Sequence, residues 1–223
     1  SVLPEVAEYY SNLNKQKEIL TPYNYHLFFR LFNDNTVTIT VYTWTVMGWS
    51  KQELYQSSTT EDAFDTYNYE SKLDFSESSI AFSSFDNGTI NIYRGSTVKA
   101  GLWEQKTLVT AIEGQIAYIA LNNDKLIISS QKDNIYWLYP FKYFKDNYQM
   151  VGTPINVYQK AGVTNLVACT CLQNQWVVIT LYKDSYTSKP NGFTGNAKMY
   201  YKHVIRCFVV HEDGTTSSVV DIG

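Results

Sequence analysis

The amino-acid sequence predicts an all-β protein, and three observations support that prediction. From Tyr23 onward, apolar and polar residues alternate with period two in segments rich in β-branched and aromatic side chains. Turn-forming pairs such as Asp86-Asn87 and Asp213-Gly214 separate these segments. Only 17% of the residues are charged and 16% are aromatic, including 19 tyrosines, a composition that disfavours disorder and coiled coils.

The first twenty residues differ from the rest of the chain. Apolar residues recur there at helical spacing, and the residue before Pro22 disfavours a helical backbone. This pattern predicts an amphipathic helix over residues 3–19. The helix would form an N-terminal arm, residues 1–21, ahead of a single all-β domain at residues 22–223.

The strands of that domain follow one another with few helical interruptions. Two polar stretches, residues 49–69 and 183–198, show no sustained periodicity and are predicted to be long loops. The candidate strands are residues 26–32, 36–44, 72–75, 80–84, 89–93, 116–121, 125–130, 135–139, 155–158, 166–172, 176–182, 200–210 and 217–222.

Two segments share an order of strand and turn signals. In both, a strand ending in Ser-Ser precedes an Asp-Asn turn and an aromatic-ended strand. The first copy has Ser83-Ser84 and Asp86-Asn87, and the second has Ser129-Ser130 and Asp133-Asn134. The two Asp-Asn pairs are 47 residues apart. A sequence pattern that repeats at about this interval is typical of stacked four-stranded sheets.

Residues 72–94 and 115–139 resemble the repeats of WD40-type β-propellers. The Gly-His pair of that family is absent, and Tyr93-Arg94 and Tyr139-Pro140 stand where the family has Trp-Asp. The resemblance implies propeller-like antiparallel blades and a protein-binding scaffold. About four blades would fit in 223 residues, as a small closed propeller or an open arc completed by a partner. A β-sandwich is the alternative fold.

The charge balance and the cysteines restrict the class of protein. Eighteen basic and 21 acidic residues give a net charge of −3, which disfavours a nucleic-acid-binding domain. No apolar run is long enough to cross a bilayer. Cys169 and Cys171 would share one face of a strand, where a disulfide between them is disfavoured. Buried, reduced thiols and an intracellular, cytoplasmic location are therefore expected.

The sequence contains no recognisable catalytic or metal-binding motif. His26, His203 and His211 lack metal-ligand spacing, and no phosphate-binding loop or nucleophile elbow is present. We therefore expect no catalytic residues, no metal and no cofactor.

Aromatic residues in and near the predicted loops are the remaining signal. Tyrosine and tryptophan are common at protein interfaces because they bury large areas with few rotatable bonds. The sequence thus predicts a non-enzymatic interaction or scaffold module, a subunit of a larger assembly or a homo-oligomer. A viral or phage capsid or tail protein is one alternative, and a carbohydrate-binding or glycoside-processing domain is another. The candidate interaction residues are Tyr10, Trp49, Tyr67, Tyr69, Tyr186 and Phe193.

Overall fold

Antiparallel pairing between strands that are neighbours in sequence builds most of the structure. A computed structural model describes residues 16–23, 26–33, 36–58, 72–84, 88–162, 165–188, 192 and 195–223. Strands dominate these residues, so the all-β prediction is confirmed. The chain divides into two compact units, Ser1–Thr107 and Leu108–Gly223.

The first unit contains two sets of four antiparallel strands, each paired in sequence order. The buried residues Phe28, Val41, Phe82 and Trp103 belong to its core. Its strands are β1 (Gln16–Tyr23), β2 (His26–Asn33), β3 (Thr36–Thr45), β4 (Gly48–Ser58), β5 (Leu73–Ser76), β6 (Ser79–Ser83), β7 (Ile90–Gly95) and β8 (Trp103–Leu108).

The second unit also contains two antiparallel sets in sequence order, β9–β12 and β14–β17, with β13 added beside β11. Trp176 and Phe208 pack against Ile127 and Leu138 in its core. Its elements are β9 (Gln115–Asn122), β10 (Lys125–Lys132), β11 (Ile135–Phe144), β12 (Asn147–Met150), β13 (Ile155–Asn156), α1 (Val157–Ala161), β14 (Asn165–Cys171), β15 (Gln175–Ser188), β16 (Lys198–His211) and β17 (Val220–Asp221).

The prediction of an N-terminal helix over residues 3–19 is wrong at its C-terminal end. Residues 16–19 lie in β1, which pairs with β2 from Gln16 opposite Phe32 to Tyr23 opposite His26. Tertiary pairing overrides the local periodicity here. Pro22 lies where the register shifts, in an edge strand that tolerates a missing N–H group. Residues 3–15 of the predicted helix lie outside the described residues.

Both predicted long loops contain strand. Residues 49–58 belong to β4, where a register shift at Leu54 breaks the alternation that would have indicated a strand. Residues 183–188 and 198 belong to β15 and β16, whose described outer side chains are exposed on both faces. The predicted strand at 155–158 ends early, because Val157 begins helix α1, capped by the Asn156 side chain.

Buried and exposed phenylalanines of the second unit offer a matched test of its core. Phe208 is 1% exposed and Phe144 is 55% exposed. We expect Phe208→Ala to lower the free energy of unfolding by about 3–5 kcal/mol, because it leaves a cavity. Phe144→Ala should change it by less than about 0.5 kcal/mol. Urea denaturation of both variants measures the difference, and equal effects would contradict this core assignment.

His26 gives the first unit a predictable response to acid. Its ring lies edge-on to Phe28 and Trp103, with centroids 5.0 Å from each, and burial lowers the pKa of the imidazole. The unfolded chain therefore takes up the proton more readily, and the free energy of unfolding should fall as the pH drops below about 6.5.

The substitution His26→Gln should flatten this dependence, because it removes the titrating group. His203→Gln, which alters an exposed histidine, should leave it unchanged. Urea denaturation across the pH range just below neutrality measures both slopes. The same slope in wild type and His26→Gln would show that another group is responsible.

Candidate functional site

The longest hairpin of the second unit extends beyond the strands that flank it. β15 and β16 have 14 residues each and pair along their whole length. β14 pairs with β15 only up to Leu181, and β17 pairs with β16 only at Arg206 and Cys207. We call residues 183–188 and 198–203 the outer hairpin. Among the described strands, none pairs with either of its edges.

The outer hairpin presents large side chains to solvent. All residues from 198 to 203 are exposed, and the exposed fraction reaches 61% for Met199 and 55% for Tyr201. The Lys183 ammonium lies 3.9 Å from the centroid of the Tyr201 ring, a cation–π contact between neighbouring strands. Side chains of this size on an exposed ribbon are typical of surfaces that bind another molecule.

Arg206 fixes the base of this hairpin. Its Nε donates to Asp221 Oδ1 at 3.0 Å, and its Nη1 donates to the Ala161 carbonyl at the end of α1 at 2.7 Å. The guanidinium also lies 4.1 Å from the centroid of the Tyr182 ring. The outer hairpin therefore projects from an anchored base.

Residues 183–203, which we call the hairpin segment, differ in the sign of their net charge from the remaining chain. This segment contains four lysines and one acidic residue, Asp184, for a net charge of +3. The other residues of the chain contain 14 basic and 20 acidic residues, for a net charge of −6. Opposite charge of this kind favours association between a hairpin and an acidic surface.

The first unit has an exposed apolar turn of its own between β3 and β4. We call Trp44, Val46, Met47 and Trp49 the β3–β4 tip. Val46 and Met47 are fully exposed, and the two tryptophan rings meet edge to face with centroids 5.2 Å apart. The Thr45 hydroxyl holds the turn, accepting from the Met47 amide and donating to the Gly48 carbonyl. The turn is thus ordered and apolar.

A groove with aromatic walls forms the third candidate surface, in the second unit. It encloses about 470 Å³, within the range of small-ligand sites. We call it the aromatic groove. Ile135, Trp137 and Tyr139 of β11 line it, with Glu113 and Lys132 as charged lining residues. A hydrogen-bonded ion pair joins these two charged side chains.

Another charged cluster of the second unit joins β10 and β11 to the end of β16. The Lys125 ammonium lies 2.7 Å from Glu212 Oε1, and the Lys142 ammonium lies 3.6 Å from it. Hydrogen bonding and the positive charge of Lys125 lower the pKa of the Glu212 carboxyl. Glu212 is exposed but Lys125 is only 6% exposed, so this cluster pairs a buried ammonium group with a surface carboxylate.

Two of the six predicted interaction residues lie on these surfaces. Trp49 is part of the β3–β4 tip, 39% exposed against 52% for its neighbour Trp44. The backbone of Tyr186 is in the outer hairpin, opposite Tyr200. The other four, Tyr10, Tyr67, Tyr69 and Phe193, lie outside the described residues.

Sequence reasoning did not assign Trp44, Tyr201 and Trp137 to these surfaces. Trp44 faces Trp49 only through strand register. The exposure of Tyr201 reflects the lack of a flanking strand at this position among the described residues. A two-residue turn between two alternating segments could have indicated the β3–β4 pairing.

The cysteines have the predicted environment. Cys169 and Cys171 are buried and Cys207 is partly buried, all as free thiols. Burial raises the pKa of the Cys169 thiol well above its ordinary range, which makes that thiol a poor nucleophile.

Two features are missing from the part of the chain that the structure describes. No group of three or more His, Cys, Asp or Glu side chains there is arranged to hold a metal ion. No helix there is both long and apolar enough to cross a bilayer.

Comparison with known proteins adds no family to this description. No protein-family model matches the chain, and no curated protein matches its sequence. The WD40 resemblance of residues 72–94 and 115–139 therefore stays a prediction.

The two halves of the β15–β16 hairpin should differ in hydrogen exchange. An isolated two-stranded ribbon is only marginally stable in water, whereas strands covered on both edges exchange slowly. In dilute protein, we expect amides of residues 198–203 to exchange far faster than those of residues 176–181. Mass spectrometry of exchanged peptides measures this, and equal protection of both halves would show that the outer hairpin is covered.

Proposed function

We propose that this protein is a non-enzymatic interaction module that assembles with further copies of itself through the outer hairpin. The observation that carries the proposal is the exposure of residues 198–203 on a ribbon whose edges no described strand covers. Ordering such a ribbon alone stabilises the chain little. Contact with a second molecule would stabilise it.

Charge supports a second copy of this chain as the occupant. The hairpin segment has a net charge of +3 and the remaining chain −6, so the hairpin of one copy is attracted by the net negative charge of another. Contact between two different surfaces is heterologous, and heterologous contacts build rings or open filaments. Both products agree with a subunit of a larger assembly.

The lysines also determine how the hairpin would bind. Lys198 and Lys202 are exposed on β16, and lysines on an open edge hinder pairing with another strand. The proposed contact therefore uses the face of β16 on which Tyr200 lies between Lys198 and Lys202, because alternate side chains of a strand share a face. Aromatic anchors inside a charged rim are typical of protein interfaces.

The β3–β4 tip supports a second contact, with a protein of a different kind. Its tryptophans and its fully exposed Val46 and Met47 are held by a hydrogen-bonded turn, and buried tryptophans contribute strongly to protein binding.

Self-association at low and high ionic strength tests the proposal. We expect sedimentation velocity to show concentration-dependent oligomers that dissociate as salt rises, because salt screens exposed charges. The double variant Lys198→Glu/Lys202→Glu should weaken association by about tenfold or more.

The matched control is Lys198→Arg/Lys202→Arg, which keeps the charge and should keep the association. A wild-type chain that stays monomeric at all attainable concentrations would overturn the proposal. So would oligomers that the glutamate variant forms as readily as the wild type.

A further inference from the structure

The aromatic groove is built on the face of β11 that turns away from the core of the second unit. Leu138 is buried in that core and Tyr136 packs against it. Successive side chains of a strand point to opposite faces, so Ile135, Trp137 and Tyr139 share the other face and line the groove. β11 is paired with β10 and β13 at this point, which makes this wall rigid.

The charged side of the groove is held in place by two turns. Asp133 and Asn134 have φ angles of 54° and 62° and connect β10 to β11 as a tight hairpin, with Lys132 opposite Ile135. Gly114 has a φ of +89°, and a Cβ there would lie 2.5 Å from the Gln131 carbonyl oxygen. Only glycine therefore allows the segment carrying Glu113 to approach β10 so closely.

The size of the groove favours a small ligand over a protein. Its volume of about 470 Å³ suits a molecule of one to three rings. A stable protein interface would need about 800 Å² from each partner, far more than such a groove offers.

The charges of the groove disfavour an anionic ligand. Glu113 and Asp133 are acidic and Lys132 is basic, so these lining residues carry a net charge of −1. Phosphates and acidic sugars would be repelled, since like charges brought together are unfavourable. The same three side chains supply hydrogen-bond donors and acceptors, while Trp137 and Tyr139 supply apolar rings.

We propose that the aromatic groove binds the pyranose rings of a neutral carbohydrate. A pyranose has an apolar C–H face that stacks on an aromatic ring and a rim of hydroxyls that both donate and accept hydrogen bonds. Tyr139 is only 5% exposed, whereas Trp137 is partly exposed, so Trp137 supplies the apolar surface beside the charged rim. This inference is independent of assembly through the outer hairpin.

Glu113 is poorly suited to act as the general acid for cleavage of a bound sugar. Glycoside hydrolysis needs a carboxylic acid that is protonated near neutral pH, which requires a raised pKa. The hydrogen bond and the positive charge of Lys132 instead lower the pKa of the Glu113 carboxyl. Glu113 therefore stays ionised and serves as a hydrogen-bond acceptor.

The test uses the five tryptophans of the chain as separate reporters. The neutral sugars maltotriose, cellotriose and tri-N-acetylchitotriose are titrated into the full-length protein, and the indole N–H signals are followed by NMR after assignment with single Trp→Phe variants. We expect at least one sugar to shift the Trp137 signal in a saturable way, while the Trp49 signal stays in place. Trigalacturonate, an acidic sugar of the same length, should leave Trp137 unshifted.

Two variants complete the experiment. Trp137→Ala should weaken binding at least tenfold in ligand-observed NMR, and Phe144→Ala, which removes an exposed aromatic side chain of the second unit outside the groove, should bind like the wild type. If Trp137→Ala fails to fold, the response of the Trp137 indole signal in the wild-type protein still tests the proposal. The proposal is overturned if no neutral sugar shifts that signal at millimolar concentrations, if trigalacturonate shifts it equally, or if Trp137→Ala binds as tightly as the wild type.

Discussion

The pairing of β15 with β16 is the interaction on which the second unit most depends. Its inner half places Trp176 and Phe208 in the core, and β14 and β17 cover its edges there. The same register continues without interruption into the outer hairpin, where no described strand covers either edge. One continuous set of backbone hydrogen bonds thus links a stable core to an exposed ribbon, and Arg206 marks the boundary between them.

Alternation of apolar and polar residues predicted the strands that have one buried face. The inner half of β15, for example, lies where the sequence places it, with Trp176, Val178 and Thr180 buried and the residues between them partly exposed. Prediction failed at two places where this alternation is lost. Leu54 lies at an irregularity in the register of β4, and all described side chains of the outer hairpin are exposed, so its sequence reads as a loop. β1 shows the opposite error, because a helical spacing of apolar residues was overridden by pairing with β2.

The candidate surfaces were less predictable than the strands, for a physical reason. Aromatic content indicated an interaction surface and identified Trp49, but the exposure of a side chain depends on what covers it. Tyr148 is fully buried although it follows a turn, whereas Tyr201 is exposed within a strand. The aromatic groove combines Glu113 with Lys132 and Trp137, and only the register of β10 with β11 and the close approach at Gly114 bring these residues together.

The three surfaces differ in what binding would cost. The aromatic groove is lined by strands paired on both sides, and the β3–β4 tip is a hydrogen-bonded turn, so both are ordered before a ligand arrives. The outer hairpin is a ribbon without flanking strands in the described structure, and part of its binding free energy must order it. Binding through the outer hairpin therefore depends on the concentration of its partner, as subunit assembly does. The groove and the tip bind without that cost, so small ligands and single partners suit them better.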